Sequence, residues 1–242
     1  MTAQPINIYK GDFYKLRQER TFVSANKILG IIKKYHKFNS MIDFGCGVGT
    51  WLRAAEALGV KELEGYEGEW AREHITGKAL NIHFQDFESA FKVNNQFDLA
   101  ISLEVAEHLT PKAGHMLIKT MCTTSKVILF SAAIPGQGGV GHINEQPQNY
   151  WLEIFSKFGF QPLDFIRPRI WDNANIPLWY KQNALIYTSD KQLYEKLNKK
   201  TLPIINIVHP ESYQIALNPG IKTSIQNVLK LPHKVFKRYF NS

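Results

Sequence analysis

Hydrophobic positions along the chain follow two alternating rhythms. Phe22, Ala25, Ile28, Leu29 and Ile32 recur near i, i+3 and i+7 with lysines between them, the spacing of a helix with one buried face. The first forty residues are therefore expected to be helical. The short apolar run Met41-Ile42-Asp43-Phe44, closed by Gly45, predicts a strand. Residues 50–59 read as a helix with Thr50 as N-cap and Gly59 just past its end. Strands are expected at 61–66, 81–84, 97–102 and 127–131, with helices from about Glu104 and over 112–122. A helix over 148–158 and strands over 160–166 and 184–188 follow. Strands that alternate with helices in this way predict an α/β fold, a mostly parallel sheet covered on both faces, in one domain over residues 1–188.

Composition agrees with a folded globule and excludes a disordered chain: 44% of the 242 residues are hydrophobic and 21% charged. No apolar run approaches the ~20 residues of a membrane span, and no apolar core marks a secretory signal near the start. With only Cys46 and Cys122, no disulfide framework is implied, and a cytoplasmic location is the expectation. The net charge of +8 is uneven. Residues 189–242 hold nine Lys or Arg against three acids, a net +6, which leaves +2 for the first 188 residues. A nearly neutral body argues against nucleic acid as the partner. The basic excess belongs to a C-terminal extension, 189–242, expected to be helical. There Ile225, Val228, Leu229, Val235, Phe236 and Tyr239 interleave with Lys230, Lys234, Lys237 and Arg238. Such a segment suits an acidic partner or a membrane surface, or folds back on the body.

The loop Gly45-Cys46-Gly47-Val48-Gly49 joins the first strand to a helix, and its glycines let a ligand lie against the backbone beside helix N–H groups. Thr50 occupies the sixth position, so the dinucleotide fingerprint fails. Glu67, ending the second strand, is placed to accept hydrogen bonds from a ribose diol, and Asp86 follows the third. Together with Gln85-Asp86-Phe87, this set resembles the cofactor motifs of class I S-adenosylmethionine-dependent methyltransferases, from roughly Ser40 to Thr188. The resemblance implies a Rossmann-like fold with a seven-stranded sheet and S-adenosylmethionine as cofactor. It places Gly45 and Gly47 under the methionyl part, Glu67 on the ribose, and Asp86 and Phe87 at the adenine, with Asp43, Leu103 and Glu104 completing the pocket. The N-terminal helices, residues 1–39, would lie over the cofactor, with Tyr9, Phe13 and Tyr14 closing the pocket and Arg20 on the methionyl carboxylate.

Glu104, Glu107 and His108 stand at i, i+3, i+4, which on a helix is one face, at the carboxyl end of a strand. A glycine-rich stretch, 135–141, then leads to His142 and Glu145 and is expected to be a mobile loop over the same pocket. This E-x-x-E-H set with a later histidine is similar to metal-dependent 2′-O-methyltransferases of small-RNA 3′ ends and to O-methyltransferases of the ubiquinone pathway. The resemblance implies Glu104, Glu107, His108 and His142 as ligands of Mg²⁺ or Mn²⁺, a metal that would lower the pKa of an acceptor hydroxyl. Two other readings stay open: His108 or His142, with Glu145, acting as a base without metal, and a structural role.

Asn144, Glu145 and Gln146, followed by Tyr150-Trp151, resemble enzymes that modify sugars and surface polysaccharides. So do Arg167, Arg169 and Trp171, and Trp179 with Gln182. Aromatic faces beside Arg, Asn and Gln suit a saccharide. Arg167 and Arg169, alternating on a strand, would share one face and meet a phosphate of an activated sugar. The expected activity is O-methylation of a sugar, nucleotide-sugar or glycan, a small-molecule or glycan substrate. The alternatives are RNA 2′-O-methylation, or a non-catalytic subunit that binds cofactor or partner.

Overall fold

The structure, a computed structural model, describes residues 11–75, 80–198 and 205–218. The chain divides into two units, Met1–Ile207 and Val208–Ser242. In the first, one long helix α1 (Gly11–Tyr35) precedes β1 (Ser40–Phe44), α2 (Thr50–Ala57), β2 (Glu62–Glu67), β3 (Ile82–Phe84) and β4 (Leu99–Leu103). Next come α3 (Pro111–Thr124), β5 (Val127–Ser131), α4 (Gln148–Lys157), β6 (Gln161–Leu163) and α5 (Arg167–Ile170). The unit ends with α6 (Leu178–Asn183), β7 (Leu185–Thr188) and α7 (Lys191–Leu197), which packs on β6 and β7. In the second unit α8 (Pro210–Leu217) is described, its first turn capped by His209. The amphipathic pattern expected over 225–239 lies outside the described residues.

The seven strands form one sheet in the order β3-β2-β1-β4-β5-β7-β6. β1 to β5 are parallel, and β7 enters reversed between β5 and β6. Alternate residues of each strand feed two cores. Met41, Leu99, Ile101, Val127, Leu129 and Ile186 face α1 and α2, whereas Ile42, Phe44, Ala100, Ile128, Phe130 and Leu185 face α3 and α4. Burial on both sides explains why the strands read as short apolar runs rather than as alternation. On the second face, Phe155 stacks on Tyr187 at 4.0 Å and meets Phe130 edge-on, filling the space beneath β5 and β7.

The structure revises four local expectations. Thr50 is the first residue of α2 rather than its cap; Gly49 takes the cap position with φ +80°, which glycine adopts without strain. No helix starts at Glu104: Ala106–His108 is a single 3-10 turn, and the continuous helix begins at Pro111, capped by the Thr110 hydroxyl. The strand expected over 160–166 is only Gln161–Leu163, and Arg167 and Arg169 sit on the short helix α5. They do not share a face. Arg167 is 1% exposed and bonds the Asp164 carboxylate, while Arg169 reaches Tyr35 Oη across an outer groove.

Candidate active site

The parallel strands put Phe44, Glu67, Leu103 and Ser131 at one edge of the sheet, where ligands of open α/β sheets bind. The glycine loop crosses that edge. Gly45 and Cys46 donate their N–H groups to Tyr66 O, at 2.8 and 3.1 Å. Gly45 has φ +81°, and a Cβ there would lie 2.3 Å from Val105 Cγ2. Only glycine fits.

Glu67 is 6% exposed. Its carboxylate accepts the Gly47 N–H at 2.6 Å on one oxygen and the Gly68 N–H at 2.7 Å on the other. Trp70 bonds the same carboxylate, so one of its oxygens keeps a lone pair for a ribose hydroxyl. Burial raises its pKa, against the opposing pull of the bonds from Gly68, Gly47 and Trp70. Asp43 is fully enclosed in β1, with Oδ2 lacking a partner. Burial first, and then the Glu67 charge, hold its carboxyl well above the usual range. Asp86 is exposed and closes a turn, accepting from Glu88 N and Ser89 Oγ, while Phe87 is turned inward against Phe91. Arg20 is exposed on α1. Tyr9 and the side chains of Phe13 and Tyr14 lie outside the described residues.

Leu103 ends β4, and Glu104 follows with φ +56°, alone among the described non-glycine residues in the left-handed region. Such a conformation costs about 1–3 kcal/mol and persists only where the surroundings enforce it. Its carboxylate accepts from Gln137 Nε2 at 2.9 Å and from Asn183 Nδ2 at 3.3 Å.

Glu107, His108 and His142 each offer a ligand atom, and these atoms lie within 4.8 Å of one another. Glu107 is fully buried, and neither carboxylate oxygen has a well-formed hydrogen bond, although its own N–H, the Ala133 backbone and the Glu104 carboxyl lie close by. Burial, then the neighbouring Glu104 carboxylate, push its pKa up. The two imidazoles meet edge-on with centroids 4.8 Å apart. His142 Nδ1 lies 2.9 Å from Glu145 Oε1, and its Nε2 side lies where a Cβ on Gly139 would intrude. With the Nδ1 proton donated to Glu145, Nε2 carries the lone pair. His108 has its pKa lowered by burial and by the neighbouring His142, against a bond to the Gly141 backbone. The neutral, ligating form is therefore favoured. Glu145 also accepts the Gly136 and Gly138 N–H groups, both at 2.8 Å. These bonds outweigh its burial and lower its pKa.

Of the residues expected at the acceptor, Trp179 is 37% exposed and Tyr150 and Trp171 are half-buried. Asn144 is buried: its N–H bonds Glu107 O and its amide bonds Ala106 O. Arg167 and Gln182 are buried too, Arg167 binding Asp164 and the Gln182 and Ile205 carbonyls. They shape the frame rather than line its surface. Sequence reasoning missed Gln137 and Asn183. Both are ordinary amides whose meeting at Glu104 depends on the reversed β7, which no local pattern announces.

No curated protein sequence matches the chain. Among solved structures it is similar to magnesium protoporphyrin IX methyltransferase from Synechocystis, at TM-score 0.52 and 16% identity, covering 77% of this chain and 86% of that one. It is also similar to the sugar N-methyltransferase KedS8 from Streptoalloteichus, at 0.55 and 14%, covering 78% and 98%. A third is CalS10, an amino pentose methyltransferase from Micromonospora echinaspora, at 0.54 and 13%, covering 77% and 100%. A methyltransferase-domain family profile matches residues 11–164, well over half of the chain. With the strand order and the glycine loop, that match makes the chain a member of the methyltransferase-domain family, built on the class I S-adenosylmethionine-dependent methyltransferase fold.

Proposed function

We propose that the protein transfers a methyl group from S-adenosylmethionine to a hydroxyl of a sugar, nucleotide-sugar or glycan, with a divalent cation held by Glu107, His108 and His142. One observation carries this reading: a fully buried carboxylate without a well-formed hydrogen bond, its oxygen within 4.8 Å of two imidazole nitrogens. Without a cation such a group escapes the cost of a buried charge by keeping its proton, as its raised pKa implies. A cation bound here would displace that proton and neutralise the carboxylate in its place. One carboxylate and two imidazoles suit Mn²⁺ or another transition ion better than Mg²⁺, which prefers oxygen. Glu104, engaged by Gln137 and Asn183, stands outside the three. A cation bound there would lower the pKa of an acceptor hydroxyl.

The chain's own residues orient and bind. Glu145 fixes the ring of His142, and the glycine loop with Glu67 offers backbone and carboxylate to the donor's ribose and methionyl parts. Asp86 and Phe87 stand beside the place for the adenine, and Arg20 is a candidate for the methionyl carboxylate. Trp179, Tyr150 and Trp171 supply aromatic faces for the acceptor, which suits a saccharide. The fold shared with KedS8 and CalS10 is compatible with such an acceptor. An amine needs no help from a Lewis acid to become a nucleophile, so the cation-ready cluster favours a hydroxyl.

The test is incubation with labelled methyl donor, Mn²⁺ and separate pools of nucleotide sugars, glycans and RNA, read by mass spectrometry. The expected result is label in a sugar hydroxyl, falling at least about tenfold in Glu107→Ala. Label confined to RNA 2′-hydroxyls would replace the acceptor named here. Label in no pool would leave a donor-binding protein without transfer activity.

A further inference from the structure

We propose that Gln137 and Asn183 are positioning residues that latch the 135–145 loop shut and so set His142 against Glu107 and His108; this rests on the metal-assisted reading above. The loop is tied at three places. On its outgoing limb, Gln137 donates to Glu104 Oε2 at 2.9 Å and accepts from Asn183 Nδ2 at 2.9 Å. At its neck, Glu145 gathers the Gly136 and Gly138 N–H groups together with His142 Nδ1. On its returning limb, the Ile143 and Asn144 N–H groups both bond Glu107 O, at 2.9 and 3.0 Å. Between these ties the tip is open, with Val140 89% exposed.

The outgoing tie differs from the others because it reaches across the fold. Asn183 closes α6 and is 3% exposed, and its Nδ2 serves both Gln137 Oε1 and Glu104 Oε1. Gln182 Nε2 backs it through Asn183 Oδ1 at 3.2 Å. Glu104 is thereby held in its left-handed conformation with its carboxylate bonded to the amides, beside the Glu107 carboxyl. Where many glycines give a loop wide conformational freedom, side-chain ties must select one arrangement. Buried amide networks do this when every member is satisfied.

The test compares Gln137→Met and Asn183→Leu, which keep volume and remove the bonds, with the wild type in three measurements. These are hydrogen exchange over residues 135–143, Mn²⁺ titration, and S-adenosylhomocysteine affinity. The expected result is exchange about tenfold faster across the loop, with weaker Mn²⁺ binding and S-adenosylhomocysteine affinity within about twofold. Gln137→Asn combined with Asn183→Gln, which trades the amide lengths, restores slow exchange. A general structural role would instead lower the melting temperature and weaken both ligands together. That pattern, or unchanged loop exchange in both variants, overturns the latch. A wild-type protein that takes up no Mn²⁺ overturns the metal reading alone, because the exchange measurement decides the latch without it.

Discussion

Asp43 and Glu67 set the electrostatics of the glycine loop, and both carboxyls are pushed up first of all by burial. A carboxyl whose pKa is raised on folding binds its proton more tightly in the native state than in the unfolded one. Its contribution to stability is then full below the unfolded value, about 3.9 for Asp, and is lost as pH rises toward the folded value. The ligand-free protein is therefore expected to melt at a lower temperature at pH 7 than near pH 4.5. Asp43→Asn should flatten that slope, as differential scanning fluorimetry across the range would record. Glu67→Gln keeps the size but replaces one acceptor oxygen by a donor. Binding of S-adenosylhomocysteine should weaken at least about tenfold, the scale of one charge-assisted hydrogen bond, in calorimetric titration.

The elements show which features a linear pattern can carry. Central strands announce themselves because burial on both faces makes them apolar runs, as in Val127–Ser131. The glycine loop and Glu67 are legible for a related reason: three glycines take positive φ within five residues, and an acid ends the next strand. The turn at Ala106–His108 was not legible. Its i, i+3, i+4 spacing imitates a helix face, while the left-handed φ at Glu104 bends the chain away from one. Arg167 and Arg169 misled in the same way, since period-two spacing over three residues also fits one helical turn. Gly45 offers a test at this scale. Gly45→Ala should cost about 2–4 kcal/mol from unfavourable φ and from overlap with Val105. Adding Val105→Ala should recover the overlap but not the backbone part, and chemical denaturation of the pair would separate the two.

For the first unit as a whole, one buried guanidinium holds distant segments together. Arg167 joins Asp164 after β6, the Gln182 carbonyl in α6 and the Ile205 carbonyl beyond α7. Arg167→Met leaves the half-buried Asp164 without its counter-charge and two carbonyls without their donor, a loss of about 3 kcal/mol. Thermal unfolding should shift down by about 10 °C, with the glycine-loop chemistry intact in whatever stays folded. No described helix is long and apolar enough to cross a membrane.

Trp70 gives the cleft an optical handle. Of five tryptophans, Trp51 and Trp151 are sealed in the cores, whereas Trp70 is 68% exposed, lies over Gly68 and bonds Glu67. Its emission belongs to the red, water-relaxed end of the spectrum, next to the carboxylate proposed to meet the ribose. Occupancy of that cleft can therefore be followed in unlabelled protein as a blue shift or quenching of the red component, and Trp70→Phe should leave binding measurable by heat but dark to fluorescence.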